Sequence, residues 1–262
     1  MAEHGYDCLD FDLLANTEGE YYPKEEGMFE LRLAKIRRAA EAAGLRVHQI
    51  HGPWRCPIQD STEDDRAERF EKMSKALIGA KILGAKYMAI HPLMPYGVDE
   101  PVNADEVWQI NKKFFSALAN VGQSLGVYVC LENMPFTGFP ISDVPTIVKL
   151  VKEINHPYLK ICLDVGHANI FPLPIGEAVR CIGKDLLSIV HIHDNYGDGD
   201  THNNPYDGSV DWGDFAEALF DIGFEGVCNL ETSPRTSDMS ESDTTDCELA
   251  LAKTIKLIAG KE

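Results

Sequence analysis

Apolar residues recur along this chain at two alternating spacings. A helical spacing at about 25–43 (Leu33, Ile36, Ala40, Ala43) stops at Gly44 and gives way to the short run LRVHQIH, which ends on His51. Ser61 and Thr62 open a second helical stretch with Phe70, Met73 and Leu77 on one face; it ends at Gly84 and leads into AKYMAIH, ending on His91. Asn103, with Glu106 three residues on, opens a third helix whose stripe runs from Val107 to Leu125; Gly126 then precedes VYVCLE, ending on Glu132. The same unit repeats with a helix near 143–154 before YLKICLD (ending on Asp164) and one near 174–183 before LLSIVHIH (His191 and His193). A helix near 212–222 then precedes GVCNLE (Glu231), and one at roughly 241–259 closes the sequence.

Short β-branched strands alternating with helices imply a parallel sheet covered on both faces. The repeat predicts an α/β fold of the TIM type, a (β/α) barrel forming one domain over 1–262. Such a barrel closes with eight strands, but only seven are legible, the first being YDCLDF at about 6–11. AEHG before it reads like a helix end, so the first strand and its helix are missing here or another segment fills the gap. Open strand edges and an apolar interior are poorly tolerated. The gap is therefore expected to be covered by the carboxyl-terminal segment, by a second copy in a homo-oligomer, or by residues upstream of this sequence.

Composition narrows the function. With 42 acidic and 24 basic residues the formal net charge is −18, which repels a polyanion and argues against nucleic acid as partner, although acidic surface also serves solubility. No apolar run is long enough to span a bilayer, and no signal peptide is visible, so a cytoplasmic protein is expected. Seven scattered cysteines without a C-x-x-C pair suit reduced thiols better than disulfides or a thiolate zinc site.

The strand ends carry the chemistry. In a barrel every strand points its carboxyl end at one shared mouth, where catalytic groups gather. Glu132, Asp164, His191 and Glu231 would meet there, and carboxylates aimed at one space repel unless a cation joins them. Oxygen and imidazole donors without thiolate suit a divalent metal, Mn, Mg, Co or Zn, in a catalytic role. His51 and His91, taken singly, fit a hydrogen-bonded structural histidine as well as a ligand. His193 faces either the loops or a substrate. Among the tryptophans Trp54, directly after His51-Gly52-Pro53, is the best candidate for touching substrate, and Arg235, in the polar segment after Glu231, is a further one. The polar loop GDGDTHNNPYDG at 197–208 is of the kind that carries function.

From Tyr6 onward the chain resembles the xylose isomerase-like barrel superfamily, which groups sugar isomerases and epimerases, inosose dehydratases and endonuclease IV. The carriers are HGPW at 51–54, IHP at 90–92, LEN at 131–133, LDVGHA at 163–168, HIHDN at 191–195, DTH at 200–202 and LET at 230–232. The resemblance implies a divalent metal on Glu132, Asp164, His191 and Glu231, with His167 reaching substrate and Glu132 and Glu231 acting as an acid/base pair on a keto sugar or related polyol. It also implies an endonuclease IV-like alternative, a zinc phosphodiesterase using His51, His91, His167, Asp200 and His202 as well. A barrel that has lost catalysis and only binds is a third possibility. No Gly-rich loop after the last two strands offers a cradle for a sugar's phosphate.

Overall fold

The computed structural model describes residues 1–19, 22–23, 27–54, 60–96, 101–232 and 239–260. Seven strands pair in parallel, in chain order: β1 (Cys8–Phe11), β2 (Arg46–His51), β3 (Tyr87–Ile90), β4 (Tyr128–Glu132), β5 (Leu159–Asp164), β6 (Leu187–Ile192) and β7 (Cys228–Leu230). The helices are α1 (Met28–Ala42), α2 (Glu63–Leu83), α3 (Ala104–Leu125), α4 (Val144–Ile154), α5 (Val165–Asn169), α6 (Ile175–Ile182), α7 (Trp212–Asp221) and α8 (Glu241–Ile258). Together they form a nearly closed TIM barrel.

Helix boundaries follow local chemistry. Thr62 accepts a bond from Asp65 N, and the Asp65 carboxylate accepts from Thr62 N, so a reciprocal cap fixes the start of α2. Gly84 and Gly126 end α2 and α3 at φ of 80° and 76°, a conformation that costs glycine little. The sequence pattern predicts no helix directly after Asp164, but α5 begins there. Asp164 Oδ1 accepts from His167 N at 2.7 Å, so the last residue of β5 is also a helix cap.

The barrel interior is layered. Tyr87 and Tyr128 pack beneath a small cluster of Ala89, Cys130, Cys162 and Ile189. Two residues further along the same four strands come His91, Glu132, Asp164 and His191, so side-chain alternation lifts an ionisable ring directly above an apolar floor. The larger core lies outside the sheet, where Leu33, Met73, Leu77, Phe115 and Phe215 are fully buried among the helices.

Two irregularities in register aim the upper layer. Ile161 pairs with Leu187 and Cys162 with Ile189, so Ser188 is an extra residue in β6 and His191 comes to lie beside Asp164. Leu9 pairs with Val47 and Asp10 with Gln49, which makes His48 the extra residue in β2.

Among the described residues β1 and β7 share no strand pairing. A groove of about 530 Å³ runs between them, walled by Cys8, Asp10 and Asn229 and backed by Leu251 and Ile255 of α8. Tyr6 donates to the Glu248 carbonyl at 3.2 Å, and Asn229 Nδ2 donates to Asp10 Oδ2 at 3.0 Å. The carboxyl-terminal helix thus covers the outside of the gap, and a side-chain bridge crosses it.

Candidate active site

Three histidines at the mouth are held in one tautomer by the backbone. His51 Nδ1 lies 2.8 Å from the Gly52 carbonyl, His167 Nδ1 2.8 Å from the Asn133 carbonyl, and His202 Nδ1 2.6 Å from the Glu231 carbonyl. A carbonyl only accepts, so each Nδ1 carries the proton and each Nε2 is left facing the mouth. Those nitrogens meet carboxylates: His51 Nε2 is 3.3 Å from Glu132, and His167 and His202 Nε2 are each 3.3 Å from Asp200. His202 adopts this position at φ 49°, unusual for a residue with a side chain and typical of functional loops.

His191 is turned the other way. Its Nδ1 lies 2.9 Å from Glu132 Oε1 and 2.6 Å from Glu231 Oε2, while Nε2 faces Gln49. One N–H proton points along one line only: Glu132 takes the hydrogen bond, and the close Glu231 Oε2 has none. Two carboxylate oxygens crowding one ring nitrogen is an arrangement that a cation satisfies better than a proton. Ligand atoms of Glu132, Asp164, His191 and Glu231 all lie within 4.8 Å of one another, so the donor set fits a divalent ion. Two further sets meet the same spacing, His51/His91/Glu132 and His167/His193/Asp200/His202. Cys162 also approaches Glu132 and His191, but burial pushes its thiol well above the ordinary range, which leaves it neutral and a poor ligand.

The electrostatics are mutual. Burial works against charge on His191, but contact with the Glu231 and Glu132 carboxylates holds it well above the usual imidazole value. Glu132 pays for burial too, and the His191 charge with hydrogen bonds from three histidines keeps it well below the carboxylate range. Glu231 sits at about 2, where His191 outweighs desolvation. In the second group burial is overcome by Asp164 and Asp200, which raise His167 to about 10, and by Asp200 and the Glu231 carbonyl, which raise His202 to about 9. Asp200 is correspondingly depressed, its histidine hydrogen bonds overcoming burial. His51 and His91 part company beside the same Glu132. Burial lowers both; the Glu132 bond lifts His51 above its ordinary value, while His91 stays below.

These groups open onto a cavity of about 260 Å³. His51, His91, Glu132, His167, Asp200, His202 and Glu231 line it, and so does Trp54, about half exposed. Asp164 and His191 are fully buried at its base. His193 lies behind the wall, fully buried, with Nε2 2.9 Å from Asp164 and its ring stacked on His202 at 4.0 Å. Gly166 makes room for it, since a Cβ there would fall 2.0 Å from the His193 ring. Arg235 lies outside the described residues.

Other contributors carry no motif in the sequence. Met94, Met134 and Phe136 add apolar surface to the cavity lining. Arg69 on α2 also reaches the cavity, paired with buried Asp60, whose Oδ2 accepts from Met94 N at 3.0 Å as well. Burial of Asp60 in a polar loop is visible only in three dimensions.

No described helix is long and apolar enough to cross a membrane. A D-psicose 3-epimerase of Ruminiclostridium cellulolyticum is 26% identical over 244 residues, covering 88% of this chain and 75% of the relative. The crystal structure of a D-psicose 3-epimerase in the presence of D-fructose superimposes with a TM-score of 0.81 at 19% identity, covering 99% of this chain and 91% of that one. That of an IOLI protein with a zinc atom gives 0.80 at 18% identity, covering 99% and 90%. At such identities the structures speak for the fold alone, and the relatives' reactions remain theirs. The profile of the xylose isomerase-like TIM barrel matches residues 1–253, and with it the chain belongs to that family.

Proposed function

We propose that this protein is a divalent-metal-dependent sugar isomerase or epimerase, acting on a keto sugar or related polyol by proton transfer through an enediolate. The observation that supports this most is the convergence of Glu132 and Glu231, from β4 and the end of β7, on the same nitrogen of His191. Glu132, Asp164, His191 and Glu231 would hold the ion, Mn, Mg, Co or Zn. Bound there, it supplies Lewis-acid stabilisation of the charge that develops on the substrate oxygens, worth several kcal/mol.

Glu132 and Glu231 are held ionised near neutral pH, the form a base needs before it removes a proton from carbon. One takes the proton from carbon and later releases it to water, and the other, having taken a proton from water, delivers it to carbon. His167, His51 and His91 present groups to the sugar hydroxyls or to further ions, and Trp54 with the Met94/Met134/Phe136 surface covers the sugar's apolar edges and excludes water. The relatedness to sugar epimerases supports a small-molecule substrate of this class.

A second reading is zinc-dependent phosphodiester hydrolysis, favoured by the two additional His/carboxylate sets in the same mouth. The net charge of −18 opposes it, because it repels a nucleic acid backbone. Metal analysis of protein purified without added ions, followed by a keto-sugar panel and a duplex with one abasic site, separates the two. Turnover of a keto sugar supports the first reading; cleavage of the duplex with no sugar turned over replaces it with the second.

A further inference from the structure

His191 differs from His51, His167 and His202: its rear nitrogen faces side chains instead of a backbone carbonyl. A histidine that gives Nδ1 to a metal must carry its proton on Nε2, and that proton needs an acceptor. Behind His191 Nε2 lie Gln49 Nε2 at 2.9 Å, a donor that suits the ring nitrogen only while it is bare and must give way when it carries the proton, and Asp10 Oδ2 at 3.8 Å, an acceptor. Gln49 Nε2 donates to the same Asp10 Oδ2 at 2.9 Å, and Asn229 Nδ2 donates to it from across the gap at 3.0 Å. Two buried acceptors in this group, Asp10 Oδ1 and Gln49 Oε1, have no hydrogen-bond partner among the described residues. The extra residue in β2 is what sets Gln49 opposite Asp10.

We propose that Asp10 is a positioning residue for the metal centre: its carboxylate accepts the Nε2 proton of His191 when Nδ1 is given to an ion, and Gln49 and Asn229 aim it. The triad Asp10–His191–ion would then do with a side chain what the Gly52, Asn133 and Glu231 carbonyls do for His51, His167 and His202. It would also tie the site to the open side of the barrel, because Asp10 and Asn229 stand on the two edge strands, which do not pair with each other. This inference rests on the metal reading above.

The test is Co²⁺ binding by the full chain, followed by its visible absorption bands and by competition with Zn²⁺, alongside the melting temperature of the metal-free protein. Loss of an outer partner of this kind weakens metal binding about 10–100-fold, and Asp10→Ala is expected to do so and to shift the Co²⁺ bands. Asp10→Asn, which keeps the shape and a weaker acceptor, should lie between, and Asp10→Ala with Gln49→Glu should regain affinity by returning a carboxylate to the same nitrogen. Should Asp10→Ala lose its cooperative melt, Asp10→Asn carries the test alone. Wild-type affinity and bands in variants that merely melt lower would overturn the proposal and leave Asp10 a strand tie. A wild-type protein that takes up no Co²⁺ would overturn the metal reading itself.

Discussion

His191 Nδ1 lies 2.9 Å from Glu132 Oε1 in a pocket where neither side chain meets solvent. The pair joins β6 to β4 across the mouth, and Glu231 closes on the same nitrogen from β7's end.

Glu132→Gln and Glu231→Gln are expected each to reduce turnover by about 10²–10⁴-fold, because the amide keeps the shape but cannot take a proton. Both residues are proposed ligands, so metal content has to be measured beside activity. Full activity with full metal content in either variant would exclude that glutamate as an essential base.

The titration of the mouth predicts an acid-side optimum of stability for chelator-treated protein. His167 and His202 are raised from 6.5 to about 10 and about 9, so their contribution is complete below about pH 6.5 and fades as pH rises through 9–10. Glu231, lowered from 4.5 to about 2, contributes above about pH 4.5 and is lost as pH falls toward 2. Melting temperature should therefore peak between these limits and fall toward pH 10. An ion held by Glu132, Asp164, His191 and Glu231 has to displace the proton of His191, which is held well above the usual imidazole value, so its stabilising increment should grow as pH rises. A pH-independent increment would contradict the assignment of these groups as ligands.

Gly166→Ala would set a Cβ 2.0 Å from the His193 ring and displace it from Asp164. Overpacking of this kind costs about 1–3 kcal/mol. Thermal melts should show the loss together with weaker metal retention, and a neutral substitution would mean that His193 has room to move.

Asp60 and Arg69 form a nearly buried ion pair beside the cavity. Removing one partner of such a pair costs about 3–5 kcal/mol, since the other is left uncompensated. Asp60→Ala should accordingly lower the urea midpoint strongly and disturb the backbone at Met94, which Asp60 also holds. A midpoint within error of wild type would show Arg69 finding water or another acceptor.

Most of the scaffold was legible because its determinants are local. The glycine after each helical stripe, the Thr62 and Asn103 caps, and a strand ending on an ionisable residue are all short-range signals; His51, His91, Glu132, Asp164, His191 and Glu231 follow from their place at strand ends, whereas His167, Asp200 and His202 are reached only through the family resemblance. What escaped depends on contacts between distant segments. Helix α5 starts because Asp164 caps it while ending a strand. The set Asp10, Gln49 and Asn229 comes from three strands, aligned by a bulge that no periodicity reveals, although Asp10 near the end of YDCLDF follows the same rule as the other strand ends. His193, two residues beyond His191, turned out to be buttress rather than cavity wall because Gly166 leaves it a slot.

The central claim, proton transfer to and from carbon at a metal centre between Glu132 and Glu231, is tested most directly by isotope wash-in. Keto sugars incubated in D₂O with the metal-loaded protein should gain deuterium at a single carbon next to the carbonyl, detected by loss of one proton resonance. Wash-in should stop on chelation and in Glu132→Gln and Glu231→Gln. No deuterium entering any keto sugar, from protein shown to carry its full complement of ion, would contradict the account.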